Sequence, residues 1–296
     1  MKEKTPRNFC GIESRHTAYN SSAVVILPVP FDRTSTWMKG SRRGPGALID
    51  ASRNLELYDI ETDTQVYERG IHTARPVRSR RPEAMVKKVH DRVSRYLADG
   101  KFIVVLGGEH SVSIGAIAAH REQHPGMSVL HLDAHSDRRD IYGGSRYNHA
   151  CVMARAREVV DTVVSVGIRS MDASERELLR DGVFYARDCM ESDEFVKKVP
   201  EMLTERVYVT VDLDVFDPGI MPSTGTPEPG GLGWYQVLQL LTSVVQMRLV
   251  IGFDVVELRP SRNKGPDFLA AKLVYRLLSL IFERGYNEAT RVSSPS

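Results

Sequence analysis

Cysteine is scarce in this chain of 296 residues: Cys10, Cys151 and Cys189 stand far apart, odd in number, with no Cys-x-x-Cys. That spacing argues against a disulfide framework and against a thiolate zinc site, and it fits a reducing compartment. A surplus of one charge is missing too. Lys plus Arg number 40 and Asp plus Glu 38, a formal net charge of +2, so no overall field draws the chain to nucleic acid or to an acidic membrane. No apolar run approaches membrane length. Lys2, Lys4 and Arg7 are followed by polar residues up to Ser22 rather than by an apolar core, so no leader is read there. The expectation is a soluble, cytoplasmic protein. No low-complexity linker or repeat divides the sequence, which predicts one domain over 1–296 with frayed ends near 1–20 and 288–296.

What is present is a sizeable apolar fraction, 42%, arranged in alternation. Apolar, β-branched runs at Val24–Val29, Phe102–Leu106, Ser128–Leu132, Thr162–Ile168, Val207–Val211 and Leu249–Val256 read as strands, with weaker ones near Val66–Ile71 and Val183–Ala186. Helical periods lie between them at Pro45–Tyr58, Pro82–Ala98, Ser111–His124, Ala173–Asp181, Trp234–Met247 and Pro266–Glu283. Strand alternating with helix predicts an α/β fold, one parallel sheet with helices on both faces. The basic run from Arg75 to Lys88 is broken by prolines and reads as a solvated connection and helix start.

In such a sheet, sites form beyond the carboxyl ends of the strands, and the polar residues gather there. Val129 to Asp137 reads Val-Leu-His-Leu-Asp-Ala-His-Ser-Asp, and a period of two at a strand end would aim Asp133, His135 and Asp137 the same way. The run ending at Leu106 leads into Gly107-Gly-Glu-His110, Val211 into Asp212-Leu-Asp214, and Val256 into Glu257, while His149 follows Asn148. An isolated Asp-x-His-x-Asp is more often a solvated loop that caps a helix. Four aspartates and two histidines on three segments are another matter: clustered carboxylates repel unless a cation neutralises them. Mostly oxygen donors with no thiolate suit manganese or a similar octahedral cation, and four negative charges balance two divalent ions. Two-metal sites of that kind ionise a bridging water near neutral pH.

Taken together, Gly107-Gly-Glu-His110, Asp133 to Asp137, Asp212-Leu-Asp214 through Gly231, Pro30 to Asp59 and Asp254 to Pro260 resemble the ureohydrolase family, the arginase and agmatinase group, in order and spacing. The resemblance implies a three-layer α/β/α fold with two Mn²⁺ ions, hydrolysing a guanidino group to urea and an amine. It places His110, Asp133, Asp137 and Asp212 on one ion and His135, Asp133, Asp212 and Asp214 on the other, with Asp133 and Asp212 bridging. It makes Asp137 the group that orients the nucleophile, Glu257 the guanidinium-binding carboxylate and His149 the proton shuttle. Trimers or hexamers are implied in the same way.

The run Gly225-Thr-Pro-Glu-Pro-Gly-Gly-Leu and the loop Asp137-Arg-Arg-Asp-Ile-Tyr look more like agmatinases than arginases, with Thr226 at the substrate. Agmatine is therefore the expected substrate, and arginine, guanidinobutyrate or guanidinopropionate are the alternatives. Asp172 falls where arginases contact the substrate's α-amino group, although Asp is equally at home as an N-cap before Ala173. Arg139, Cys151 and Arg259 depart from common family residues. A single-zinc, deacetylase-like amidohydrolase is the rival class, and it would not need His110, Asp137 and Asp214 as a second ligand set.

Overall fold

The computed structural model describes residues 7–178 and 182–283. In chain order the regular elements are β1 Val24–Val29, α1 Gly44–Ser52, β2 Ile71–Thr73, α2 Pro82–Ala98, β3 Phe102–Gly107, α3 Val112–Gln123, β4 Ser128–Leu132, α4 Val152–Ala156 and β5 Val163–Ile168. They continue with β6 Val183–Tyr185, α5 Ala186–Glu191, α6 Phe195–Met202, β7 Arg206–Asp212, α7 Trp234–Met247, β8 Leu249–Val256 and α8 Gly265–Glu283. The eight strands form one sheet in the order β2-β1-β3-β8-β7-β4-β5-β6, and every pairing is parallel. This is a three-layer α/β/α fold.

Side-chain alternation builds the layers. In β3, Phe102, Val104 and Leu106 join the core shared with α7 and α8, while Ile103 and Val105 join the opposite core with α2 and α3. Because both faces are covered, β1, β3 and β5 are buried along their whole length, which is why their sequence reads as unbroken apolar runs. Helix α2 is the contrasting case: Met85, Val89, Val93, Tyr96 and Leu97 form one buried stripe at helical spacing.

Several sequence expectations need correction. Helix α1 ends at Ser52 rather than Tyr58. Val66–Arg69 is a 3₁₀ turn, and the strand begins only at Ile71, after Gly70 turns the chain at φ 77°. Ala173–Leu178 winds as a 3₁₀ segment rather than an α-helix; the last three residues of that expected helix, 179–181, lie outside the described residues, as do 1–6 and 284–296. In the amino-terminal stretch Phe9, Cys10 and Ile12 are buried in the core, and Cys10 N–H donates to Ser52 Oγ at 2.8 Å. All three cysteines are unpaired and buried. Among the described residues no helix is long and apolar enough to cross a membrane.

Candidate metal centre and substrate cavity

Four neighbouring strands in the middle of the sheet, β3, β8, β7 and β4, deliver the polar residues. Chain order places β3 and β4 in succession, yet β7 and β8 insert between them, so the connections diverge and leave a crevice at the strand ends. Gly108 lets these ends approach closely. A Cβ there would stand 1.9 Å from the Phe31 carbonyl oxygen, and its own carbonyl accepts the Glu257 N–H at 2.7 Å.

Two imidazoles each gather carboxylates. His110 Nδ1 lies 3.1 Å from Asp133 Oδ2, 3.1 Å from Asp137 Oδ2 and 3.5 Å from Asp212 Oδ2. His135 Nδ1 lies 3.0 Å from Asp214 Oδ2 and 3.5 Å from Asp133 Oδ1. Asp133 thus divides its two oxygens between the two groups. Alternation along an extended strand does not bring all three residues of the β4 motif together, as expected from sequence; β4 stops at Leu132, and Asp137 arrives through a left-handed backbone at φ 51°. Glu257 also has positive φ, 65°. Such backbone strain costs on the order of 1–3 kcal/mol per residue and persists where surrounding bonds fix it.

The charges are far from comfortable as an isolated set. Burial first, then Asp214 and Asp133, push the Asp212 carboxyl well above its ordinary range. Burial and Asp133 raise Asp137. Burial and Glu109 raise Glu257 well above the usual carboxylate value. Burial opposes the charge on His110, yet Asp133 and Asp137 hold its imidazolium and raise it well above its ordinary value. Asp133 moves the other way: His131, His110 and His135 overcome burial and keep it ionised. Metal binding needs neutral imidazoles and ionised carboxylates, and a divalent cation supplies the attraction that makes this combination stable.

One orphaned atom tests the fit directly. His110 Nδ1 is buried without a hydrogen bond, whereas its Nε2 sits 2.9 Å from Thr210 Oγ1. The Thr210 hydroxyl donates to Asp254 Oδ1 at 2.6 Å, and Tyr208 donates to Asp254 Oδ2 at 2.7 Å. A hydroxyl has a single proton, so His110 must donate from Nε2; in the neutral ring that a metal requires, this tautomer leaves the Nδ1 lone pair aimed at the carboxylates. The donor set of imidazole nitrogen and carboxylate oxygen suits a hard divalent ion.

Thr210 and Asp254 were not singled out from sequence, because each sits inside an apolar strand pattern. Thr210→Val keeps the shape and removes the acceptor, and it should weaken metal affinity by about 10- to 100-fold while the fold is retained. Metal titration of the chelator-stripped variant checks this. His131 was equally silent. It is fully buried, 2.8 Å from Asp133 Oδ2 and 3.1 Å from Ser165 Oγ, and so orients Asp133.

Glu109 supports the second component of the site. Buried, it accepts from Thr34 N–H and Ser35 N–H, each at 2.7 Å, from the Thr34 hydroxyl, and from Ser111 Oγ at 2.6 Å. Thr34 Oγ1 in turn accepts the His149 N–H at 3.1 Å. Burial and then the nearby His135 draw the His149 imidazole down to about 4, so it is a neutral base at pH 7.

These residues open on a cavity of about 230 Å³, which Thr226, Asp172, Arg139, Tyr142 and Glu257 also line. Asp172 has the geometry of a cap: Oδ1 accepts from Ser174 N–H at 3.0 Å and Ser174 Oγ at 2.6 Å, and Glu175 Oε2 accepts the Asp172 N–H at 2.8 Å. Its other oxygen faces Arg139 Nη2 at 3.4 Å, on the cavity side. Arg139 also lies over the Tyr142 ring at 4.4 Å. Arg169 pins the long Gly/Pro loop through the carbonyls of Asp214 and Glu228, at 2.6 and 2.8 Å. Of the departures from family pattern, Cys151 packs in the core, and Arg259 donates to the Lys39 carbonyl at 3.2 Å.

A model of the arginase family matches residues 22–279. The N(1)-aminopropylagmatine ureohydrolase of Synechocystis is 38% identical, with 92% of this chain and 93% of that protein covered. The agmatinase of Pyrococcus horikoshii is 35% identical over 86% of this chain and 91% of its own length. The crystal structure of the agmatine ureohydrolase of Thermoplasma volcanium superposes with a TM-score of 0.84 at 31% identity, covering 95% of this chain and 96% of that one.

Proposed function

The chain belongs to the arginase family and is a ureohydrolase of the agmatinase type, and we propose that it holds two Mn²⁺ ions and hydrolyses a linear guanidino amine to urea and the free amine. The observation that carries the two-ion reading is the split of Asp133, whose Oδ2 faces His110 and whose Oδ1 faces His135. His110, Asp133, Asp137 and Asp212 would hold one ion; His135, Asp133, Asp212 and Asp214 would hold the other. When bound, the pair supplies a water nucleophile ionised near neutral pH.

The remaining steps belong to the chain's own side chains. Glu257, held through Oε1 by the His110 N–H at 3.0 Å, offers its carboxylate to the planar guanidinium. Asp137 accepts a hydrogen bond from the nucleophile and keeps the nucleophile's lone pair directed at the guanidinium carbon. His149, neutral at rest, would take a proton from solvent and hand it on to the departing amine nitrogen. His149→Asn should lower turnover about 10²- to 10⁴-fold, the usual range for one acid–base group, with the metal content unchanged. Metal loss equal to that of a ligand variant would remove the shuttle role.

Agmatine is the first reading of the substrate. The second is N(1)-aminopropylagmatine, which the names of relatives at 38% identity favour. Urea release from a panel of agmatine, N(1)-aminopropylagmatine, arginine, guanidinobutyrate and guanidinopropionate, with manganese supplied, tests the class: the two amines should lead. Asp172 at the cavity would attract a distal ammonium and repel a distal carboxylate. Asp172→Asn should therefore weaken agmatine turnover more than guanidinobutyrate turnover. Equal losses would leave Asp172 as a cap alone.

A further inference from the structure

A second and more spacious cavity lies away from the metal centre. It is a groove of about 1490 Å³ at the carboxyl ends of β1 and β2, at one edge of the sheet, and it shares no lining residue with the substrate cavity. Arg7, Arg43, Arg75, Arg78 and Arg262 line it. All five are exposed. None of the five forms an ion pair among the described residues, although a formal net charge of only +2 leaves carboxylates enough elsewhere on the chain. The carboxylates of the groove are already engaged: Asp50 lies 3.5 Å from Arg53 and Asp267 lies 2.9 Å from Lys264. Arginines from four separate segments therefore line one concavity with no ion-pair partner among the described residues.

Two further features narrow the ligand. Asp267 lines the groove and is 2% exposed; its Oδ2 takes Lys264 Nζ at 2.9 Å, while its Oδ1 is buried with no hydrogen-bond donor among the described residues, which leaves one acceptor open. The neighbouring Phe268 also lines the groove and keeps 43% of its surface exposed, an aromatic surface of the kind on which a planar base stacks. Guanidinium forks match phosphate oxygens, a carboxylate accepts from a sugar hydroxyl, and an aromatic face takes a nucleobase.

We propose that this groove is a binding site for a small phosphate-bearing ligand, a nucleotide, with the arginines on the phosphate, Asp267 on a hydroxyl and Phe268 on the base. The shared chemistry is the phosphate group, which free phosphate and sugar phosphates also carry. The sources are separated by calorimetry of the manganese-loaded full chain with inorganic phosphate, ribose 5-phosphate and AMP at matched ionic strength.

AMP should saturate one site per chain and bind tightest of the three. Arg75→Ala with Arg78→Ala should weaken all three ligands by about tenfold or more, through lost charge-assisted bonds, and leave basal hydrolysis unchanged because neither residue touches the metal centre. Phe268→Ala should weaken AMP by about tenfold and leave phosphate and ribose 5-phosphate as they were. Absence of saturable binding, or equal affinity in the double-arginine variant, would overturn the site. AMP binding no tighter than phosphate would overturn its assignment to a nucleotide. A shift in oligomeric state of the arginine variant, without AMP binding to the parent, would make the groove a contact between copies of this chain and overturn the proposal as well.

Discussion

Asp212→Asn should leave a folded protein that retains less than one manganese ion per chain and turns over about a thousandfold more slowly, since a metal ion supplies several kcal/mol to such a reaction. Asp212 is the last residue of β7, faces His110 at 3.5 Å and accepts the Asp214 N–H at 2.9 Å. It is proposed to touch both ions, so its loss should disturb both. Misfolding can be told apart from ligand loss by the sign of the pH effect. The folded-state value of Asp212 is raised well above the ordinary one by burial, Asp214 and Asp133. A raised carboxyl favours the folded state at low pH and loses that contribution as pH rises through its folded value. Neutral asparagine never pays this, so the chelator-stripped variant should melt no lower than the stripped parent at pH 8. A full metal complement in the variant would remove Asp212 from the ligand set.

Glu257→Gln should lower kcat/KM by about a hundredfold while both ions stay in place. The carboxylate is buried, lies against the cavity and is fixed by backbone bonds at both ends: its N–H to the Gly108 carbonyl at 2.7 Å and its Oε1 from the His110 N–H at 3.0 Å. A carboxylate takes a guanidinium with two charge-assisted bonds, and an amide in its place loses one acceptor and the charge, about 2–3 kcal/mol. Steady-state kinetics alongside elemental analysis makes the separation. A KM and kcat that both match the parent would place the guanidinium elsewhere.

The sequence was most legible where one physical cause acted alone. Leu249–Val256 and Ser128–Leu132 carry the same ends in sequence and structure, because strands buried on both faces read as mostly apolar runs that stop where the burial stops. Pro82 marks the start of α2 by fixing φ at its first turn. Elements under competing causes were read less well. Helical period runs on to Tyr58, but after Ser52 the Asn54 and Leu55 N–H groups bond the Ala51 and Ser52 carbonyls at 3.0 and 3.2 Å and turn the chain out of the helix. The five residues of α4 are too few to show a period, and α6 contains Pro200, which reads as a breaker.

The site divides along the same line. His110, His135 and the four aspartates follow strand ends and stand out as polar residues after apolar ones. Thr210, His131 and Asp254 lie within strands, where a lone polar residue looks like a satisfied core group; their partners come from neighbouring strands and are invisible in one dimension. The left-handed turns at Asp137 and Glu257 had no glycine or asparagine to announce them. Asp172, for which capping and substrate contact were both open, makes the capping bonds and also borders the cavity.

Two ions sharing Asp133 and Asp212 is the claim on which the rest depends. The direct measurement is elemental analysis of the full chain, stripped with a chelator, reloaded with manganese to saturation and freed of excess metal by gel filtration. The account predicts two ions per chain for the parent, with Asp133→Asn and Asp212→Asn each losing both. One ion per chain at saturation would contradict it and point instead to a single-metal, deacetylase-like site.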